Sequence, residues 1–184
     1  MAAPDLVVDV VSSLINQGLH WAIVNGHLDV VKLLCKNNFD DELKKACRHG
    51  QLPIVQYLAE IGANVNNGCL DFAARNGHLN VIKYLVEQKL ANVRGSSIEA
   101  AVLANSLETV KYLHSQGADL CARSNMALQR SAEEGYLDIV EYIVENLENV
   151  EESLTSMGFA LIMAKHNGRM DVVKFLEREI HARQ

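Results

Sequence analysis

A nine-residue string recurs six times along the chain, and nothing else in it narrows the folding options as much. GHLDVVKLL at Gly26 returns as GQLPIVQYL at Gly50, GHLNVIKYL at Gly77, NSLETVKYL at Asn105, GYLDIVEYI at Gly135 and GRMDVVKFL at Gly168. Self-similarity at a short period marks a stack of like units, each too small to bury its apolar face alone. With the Gly or Asn as position 0, positions +2, +4, +5 and +8 are apolar in nearly every copy, Thr109 excepted, while +6 is polar in all six. That spacing lines one face of an α-helix and leaves a solvated line beside it.

A second pattern precedes each zero position. An aliphatic residue stands at −7 (Leu19, Leu43, Leu70, Ile98, Leu128, Leu161), and small residues cluster at −4 and −3, as in Ala46 with Cys47 and Ala73 with Ala74. Small side chains let two helices approach closely. The Gly at zero suits the left-handed conformation that ends many helices, and Asn105 is its natural substitute. Each unit therefore reads as helix, glycine turn, helix. Pro53 at +3 is tolerated in a first helical turn, and Asp29, Glu108, Asp138 and Asp171 at the same position suit the positive helix end.

These residues resemble the ankyrin repeat from Leu19 to about Glu179. LHWA at Leu19 to Ala22 is similar to the start of that repeat, and GANVN at Gly62 to Asn66 and GADL at Gly117 to Leu120 are similar to its end. The resemblance implies an all-α, helix-turn-helix solenoid of six repeats, over about 16–38, 39–66, 67–93, 94–122, 123–155 and 156–184. A helical half-repeat over 5–15, where Asp9-Val10-Val11 and Leu14-Ile15 echo the later copies, caps the first repeat in a single domain of 1–184. The Thr-Pro pair that opens the family's first helix is absent, and only His20 keeps the histidine that follows it. Zero-to-zero spacings of 24, 27, 28, 30 and 33 fall mostly short of the family's period of about 33. The β-hairpin fingers should be short or absent early in the chain. Tyrosines at +7 (Tyr57, Tyr84, Tyr112, Tyr142) resemble those in ankyrin proteins of large viruses and of microbes that live in amoebae. At the far end Lys165 and Glu177 replace residues that are small or apolar in other copies, as a polar outer side requires.

Composition excludes several function classes. The formal charge is −6, which disfavours binding to a phosphate backbone, where many cations must displace counterions. Four cysteines without a CxxC pair, in a chain lacking a secretory n-region and h-region, read as reduced thiols of an intracellular, cytoplasmic protein, or of the host cytoplasm if the source is a virus or intracellular microbe. No apolar run approaches the roughly 20 residues of a membrane helix. Seven histidines and four cysteines do not converge in ligand spacing, so no metal or cofactor is expected. His27 and His78 follow the repeat glycine as turn residues, and Cys47 is a small core residue. Glu133 and Glu134 are adjacent on a helix and point apart, and there is no phosphate loop, GxSxG or HExxH. The chain is read as non-enzymatic.

The resemblance also places partner binding on the exposed side of each first helix, at −5, −2 and −1. The candidate partner-binding residues are Trp21, Lys45, Arg48, His49, Phe72, Arg75, Leu103, Arg130 and Glu134. Trp21 and Phe72 would flank the cations Lys45, Arg48 and Arg75, while Ala100, Leu103 and Ala104 form an apolar saddle. Aromatic and Arg side chains dominate binding energy at interfaces. The competing reading makes Trp21 and Phe72 spacers between helices and the arginines ordinary solvated residues. The expected activity is that of an adaptor or inhibitor, monomeric, gripping a protein with an acidic and apolar segment. The alternative is a sequestering module for an anionic small ligand or nucleic acid, using Lys45, Arg48, His49 and Arg75.

Overall fold

The computed structural model of the chain describes residues 3–36, 39–65, 67–88, 90–147 and 150–184. Among them run twelve α-helices and no strand. In order these are α1 Ala3–Val24, α2 Leu28–Leu34, α3 Phe39–Arg48, α4 Leu52–Glu60, α5 Asn67–Arg75, α6 Leu79–Glu87, α7 Gly95–Leu103, α8 Leu107–Ser115, α9 Ala122–Glu134, α10 Leu137–Glu145, α11 Val150–His166 and α12 Met170–Arg183. Odd-numbered helices carry the small-residue pattern and even-numbered ones the GHLDVVKLL-type pattern, one hairpin per repeat. The repeat ends expected at 38 and 66, and the Asn66 of GANVN, lie outside the described residues.

The half-repeat expected over 5–15 is not a separate helix. It runs unbroken into the first helix of the first repeat as α1. Neither a proline nor a left-handed residue interrupts 5–24, so nothing local stops the helix between the two segments.

The chain divides into two compact units, Met1–Ala73 with Asn80–Ala91 and Ala74–Leu79 with Asn92–Gln184. Within the first, α1 packs on α2 and α3, α3 on α4, and α2 on α4. Within the second, α7, α9 and α11 pack in sequence, α8, α10 and α12 do likewise, and each hairpin closes on itself. First helices thus stack on first helices and second on second, giving each unit two layers around its core.

That core is what the repeat dictates. At −4, Ala22, Ala46, Ala73, Ala101, Ser131 and Ala164 are all buried, and so are Val31, Val55, Ile82, Val110, Val140 and Val173 at +5. Burying one such aliphatic side chain is worth about 1.5–3 kcal/mol. The −7 residues are less uniform: Leu70 and Leu128 are fully enclosed, whereas Leu161 is only half-buried.

Each first helix ends in the same closed turn. The residue at zero is left-handed, with φ from 67° to 85° at the five glycines and 50° at Asn105. At five of these turns the amide at +1 then donates to the carbonyl at −4, as in His27 to Ala22 (2.8 Å), Ser106 to Ala101 (3.2 Å) and Tyr136 to Ser131 (2.8 Å). This pairs a carbonyl that a helix end leaves open. At the Gly26 and Gly135 turns a side chain from the next hairpin takes the carbonyl at −2. Gln51 Nε2 donates to Val24 O at 2.8 Å, and Arg169 Nε donates to Glu133 O at 3.0 Å. A β-carbon at Gly26 would sit 2.6 Å from Gln51 Oε1, and one at Gly135 2.8 Å from Arg169 Cδ, so glycine also clears room for the incoming donor.

Thr109, the exception in the apolar pattern, is fully buried. Its hydroxyl is met by Ser106 Oγ at 2.8 Å, and Ser106 also caps α8 by accepting from the Thr109 amide at 3.4 Å. Ser106→Ala removes the cap and leaves a buried hydroxyl unpaired, so it should cost about 1–2 kcal/mol in urea denaturation. Adding Thr109→Val should recover part of that loss; a double variant no more stable than Ser106→Ala contradicts the pairing.

The tyrosines at +7 have a physical reason. Lys32 Nζ lies 5.5 Å from the Tyr57 ring centroid and Lys111 Nζ 5.3 Å from that of Tyr142, so the polar +6 residue of one hairpin covers the +7 ring of the next. Tyr142 also meets His114 Nδ1 at 2.7 Å through its hydroxyl, and burial pushes its phenol up from the ordinary range.

One segment departs from regular helix. Arg123, Ser124 and Asn125, within the first turns of α9, all have left-handed dihedrals (φ 54°, 61° and 60°). None is glycine, and this conformation costs an L-residue about 1–2 kcal/mol. The turn is held by Asn125 N donating to Cys121 O at 3.1 Å, by Gln129 Nε2 donating to Ser124 O at 2.8 Å, and by an ion pair between Arg123 and Glu99 at 2.7 Å.

At the far end the expected polar side is partial. Lys165 and Glu177 pair with each other at 2.7 Å, but Phe159 (54% exposed) and Ile162 (60%) also face solvent on the same hairpin.

Candidate protein-binding surface

The first helices present their −5, −2 and −1 residues because the −7, −4 and −3 residues occupy the opposite, buried side. Trp21 is 57% exposed, and Arg48, Arg75, Leu103, Arg130 and Glu134 are also exposed, while Lys45, His49 and Phe72 are half-buried. Ala100, expected on the apolar saddle, is instead buried at 2% exposure. It lies on α7, which packs on α9, and a methyl group at that point is covered by the neighbouring first helix.

In the first unit, Arg48 and Phe72 come together, with the guanidinium carbon 4.7 Å from the ring centroid. The planar cation on a half-buried ring makes a rigid composite of the two residue types that dominate interfaces. Trp21 stacks on His27 from the following turn, centroids 4.7 Å apart and planes at 25°. The His49 ring stands edge-on to His20 at 6.5 Å. Lys45 is engaged within its own helix: its Nζ is 3.0 Å from the buried carboxylate of Glu42. Burial of Glu42 makes a pairing cation obligatory there, so Lys45 contributes less net charge to the surface.

In the second unit, Arg75 at the end of α5, Leu103 at the end of α7 and Arg130 on α9 line one small cavity of 250 Å³. Glu99, Arg123 and Met126 complete its wall. These three were not among the sequence candidates, because they fall outside the −5, −2 and −1 register. The only sequence signal was a basic residue, Arg123, in the segment before α9. Arg130 is held by Glu133 at 2.7 Å, and Glu134 borders a separate cleft of 320 Å³ with Arg169 and Asp171.

The thiols divide by exposure. Cys35, Cys47 and Cys69 are buried and Cys121 is exposed. Cys47, hydrogen-bonded to Cys69 and buried, is held far above the ordinary thiol range, and burial next to Glu42 raises Cys35 as well. Both are therefore kept as neutral thiols and behave as apolar core groups. Among the described residues no three His, Cys, Asp or Glu side chains gather as a metal site, and no helix is long and apolar enough to cross a membrane.

Comparison with known proteins gives matches over nearly all of this architecture. The model of ankyrin repeats in three copies matches residues 19–95, 43–124 and 98–183. An ankyrin repeat protein of Acanthamoeba polyphaga mimivirus is 31% identical over 128 residues, which cover 61% of this chain and 45% of that protein. An E3 ubiquitin-protein ligase of Arabidopsis thaliana is 27% identical over 167 residues, covering 81% of this chain and 33% of the ligase. A second mimivirus ankyrin repeat protein is 27% identical over 166 residues, covering 84% of this chain and 26% of that protein. The chain thus spans less than half the length of each of these relatives.

Proposed function

We propose, from the premise that this chain belongs to the ankyrin repeat family and is an all-α helical solenoid of that type, that it acts as a non-catalytic adaptor or inhibitor. Ankyrin repeats in general mediate protein–protein interaction, and the finer role assigned here rests on the exposed first-helix side chains. The observation that carries it is the Arg48–Phe72 pair, an exposed cation laid on a half-buried aromatic ring. Buried positions beneath repeat from hairpin to hairpin, whereas the −5 residues differ in each: Trp21, Lys45, Phe72, Ala100, Arg130 and Met163. A surface that varies over a repeating core is free to be shaped by one partner. The acting compartment in this reading is the cytoplasm, and the acting form is the monomer.

The test is capture of a partner from the native host by the tagged chain, compared with a Trp21→Ser/Arg48→Glu/Phe72→Ser variant. The variant should retain the helical circular dichroism of the parent and lose the partner by about 100-fold or more in affinity, since three hot-spot groups of about 1–3 kcal/mol each are removed. A partner held equally by both chains refutes this surface. Binding of an oligonucleotide panel with steep salt dependence would instead support the sequestering alternative.

A further inference from the structure

The cavity walled by Arg75, Glu99, Leu103, Arg123, Met126 and Arg130 has a composition that the rest of the chain does not prepare for. The protein carries a formal charge of −6, yet three guanidiniums line 250 Å³ of space against one carboxylate. They come from three separate elements: the last turn of α5, the left-handed turn at the start of α9 and the regular part of α9. Two of them are already engaged by acids of this chain, Arg123 by Glu99 and Arg130 by Glu133, each at 2.7 Å. Among the described residues Arg75 has no ion-pair partner and is exposed. The wall between the arginines is apolar, formed by exposed Leu103 and half-buried Met126.

Two further details define what would fit. Glu99 uses one oxygen on Arg123, while its other oxygen, Oε1, is enclosed and has no hydrogen-bond partner among the described residues. That oxygen is closed to solvent and Oε2 is taken by Arg123, so Glu99 offers no accessible acceptor to a ligand in the cavity. The volume lies below the range of about 300–1,000 Å³ typical of sites for whole small molecules, so a nucleotide-sized ligand is a poor match and a side chain or two is a good one. The arrangement asks for an anion for Arg75 and an apolar group beside it for Leu103 and Met126. An extended peptide that places Asp or Glu next to a large apolar residue supplies both.

We infer that this cavity is a docking site for an acidic–apolar segment of a partner protein, with Arg75 as the principal anion contact, Arg123 and Arg130 as its flanking cations and Leu103 and Met126 as the apolar seat. The strained turn at Arg123 to Asn125 fits this role, since strained backbone persists where a side chain must be aimed. The inference rests on the protein-binding reading above and names the chemistry of one part of the partner.

The experiment is selection of a displayed random dodecapeptide library on the full chain, followed by titration of the enriched peptides by fluorescence anisotropy. Titrations use the parent, Arg75→Gln, Arg123→Gln and Arg48→Glu/Phe72→Ser. Arg75→Gln touches no ion pair, so it keeps the test valid if Arg123→Gln disturbs the turn. Enriched peptides should share an acidic residue beside Leu, Ile, Phe or Met, and Arg75→Gln should weaken them by about tenfold or more, the size of one charge-assisted contact. Peptides without an acidic residue, or with affinity changed less than about twofold by Arg75→Gln, overturn the inference. If such peptides are lost on Arg48→Glu/Phe72→Ser instead, the cavity assignment fails while the protein-binding function stands. Failure of any peptide to enrich, together with failure to capture a host partner, overturns both. Oligonucleotide binding that Arg75→Gln weakens, without peptide enrichment, overturns the peptide assignment in favour of a nucleic acid.

Discussion

Gly95→Val is expected to lower stability by about 3 kcal/mol, at the upper end of what overpacking a core costs. Gly95 opens α7, and a β-carbon there would overlap the β-carbon of Ala122 and come within 3.3 Å of Asp119 O. Neither neighbour is the free end of a flexible side chain, so the start of α9 or of α7 must move. Its φ is not left-handed, which makes the penalty one of space and not of backbone conformation. Ala122→Gly in the same chain should therefore recover most of the loss. Gly158, inside α11 with nothing within 4 Å of where a β-carbon would sit, provides the control. Gly158→Ala should raise stability by about 0.5–1 kcal/mol through helix propensity alone. Urea midpoints followed by circular dichroism measure all three, and a Gly95→Val midpoint equal to the parent's removes the packing argument.

The second large effect is expected at Leu128. It is fully buried on α9, between the neighbours α7, α10 and α11, and Leu128→Ala should cost about 3–4 kcal/mol as transfer energy and cavity energy add. Leu161 occupies the same −7 position in the last repeat but is half-buried, and Leu161→Ala should cost about 1 kcal/mol, in proportion to the smaller area removed from water. Equal losses at the two sites would mean that the repeat register, and not the local enclosure, governs stability.

That contrast shows where the sequence stops being informative. The six hairpins, their turns and their buried positions were legible because each rests on a local rule repeated six times. Asn105 could be placed in a left-handed turn from its register alone, and its φ of 50° agrees. Enclosure of a given residue depends on the neighbouring hairpin, which the register does not describe. Ala100 shares its register position with exposed Trp21 and is nevertheless buried. Lys45 reads as a surface cation until the buried Glu42, three residues earlier, is seen to hold it. The tyrosines at +7 suggested only a likeness to other proteins; their packing under a lysine of the preceding hairpin is a relation between residues some 25 to 31 positions apart. The left-handed turn at Arg123 left no glycine to announce it, so the cavity that it completes could not be foreseen.

Two of the hydrogen bonds that join successive hairpins end on backbone atoms of the earlier one. Val24 and Glu133 offer only their carbonyl oxygens to Gln51 and Arg169, and every amino acid carries that oxygen. Position −2 also faces outward. Mutation there can redraw what the surface recognises while the bond that fastens one hairpin to the next is untouched, so specificity and cohesion can drift independently through the history of such a chain.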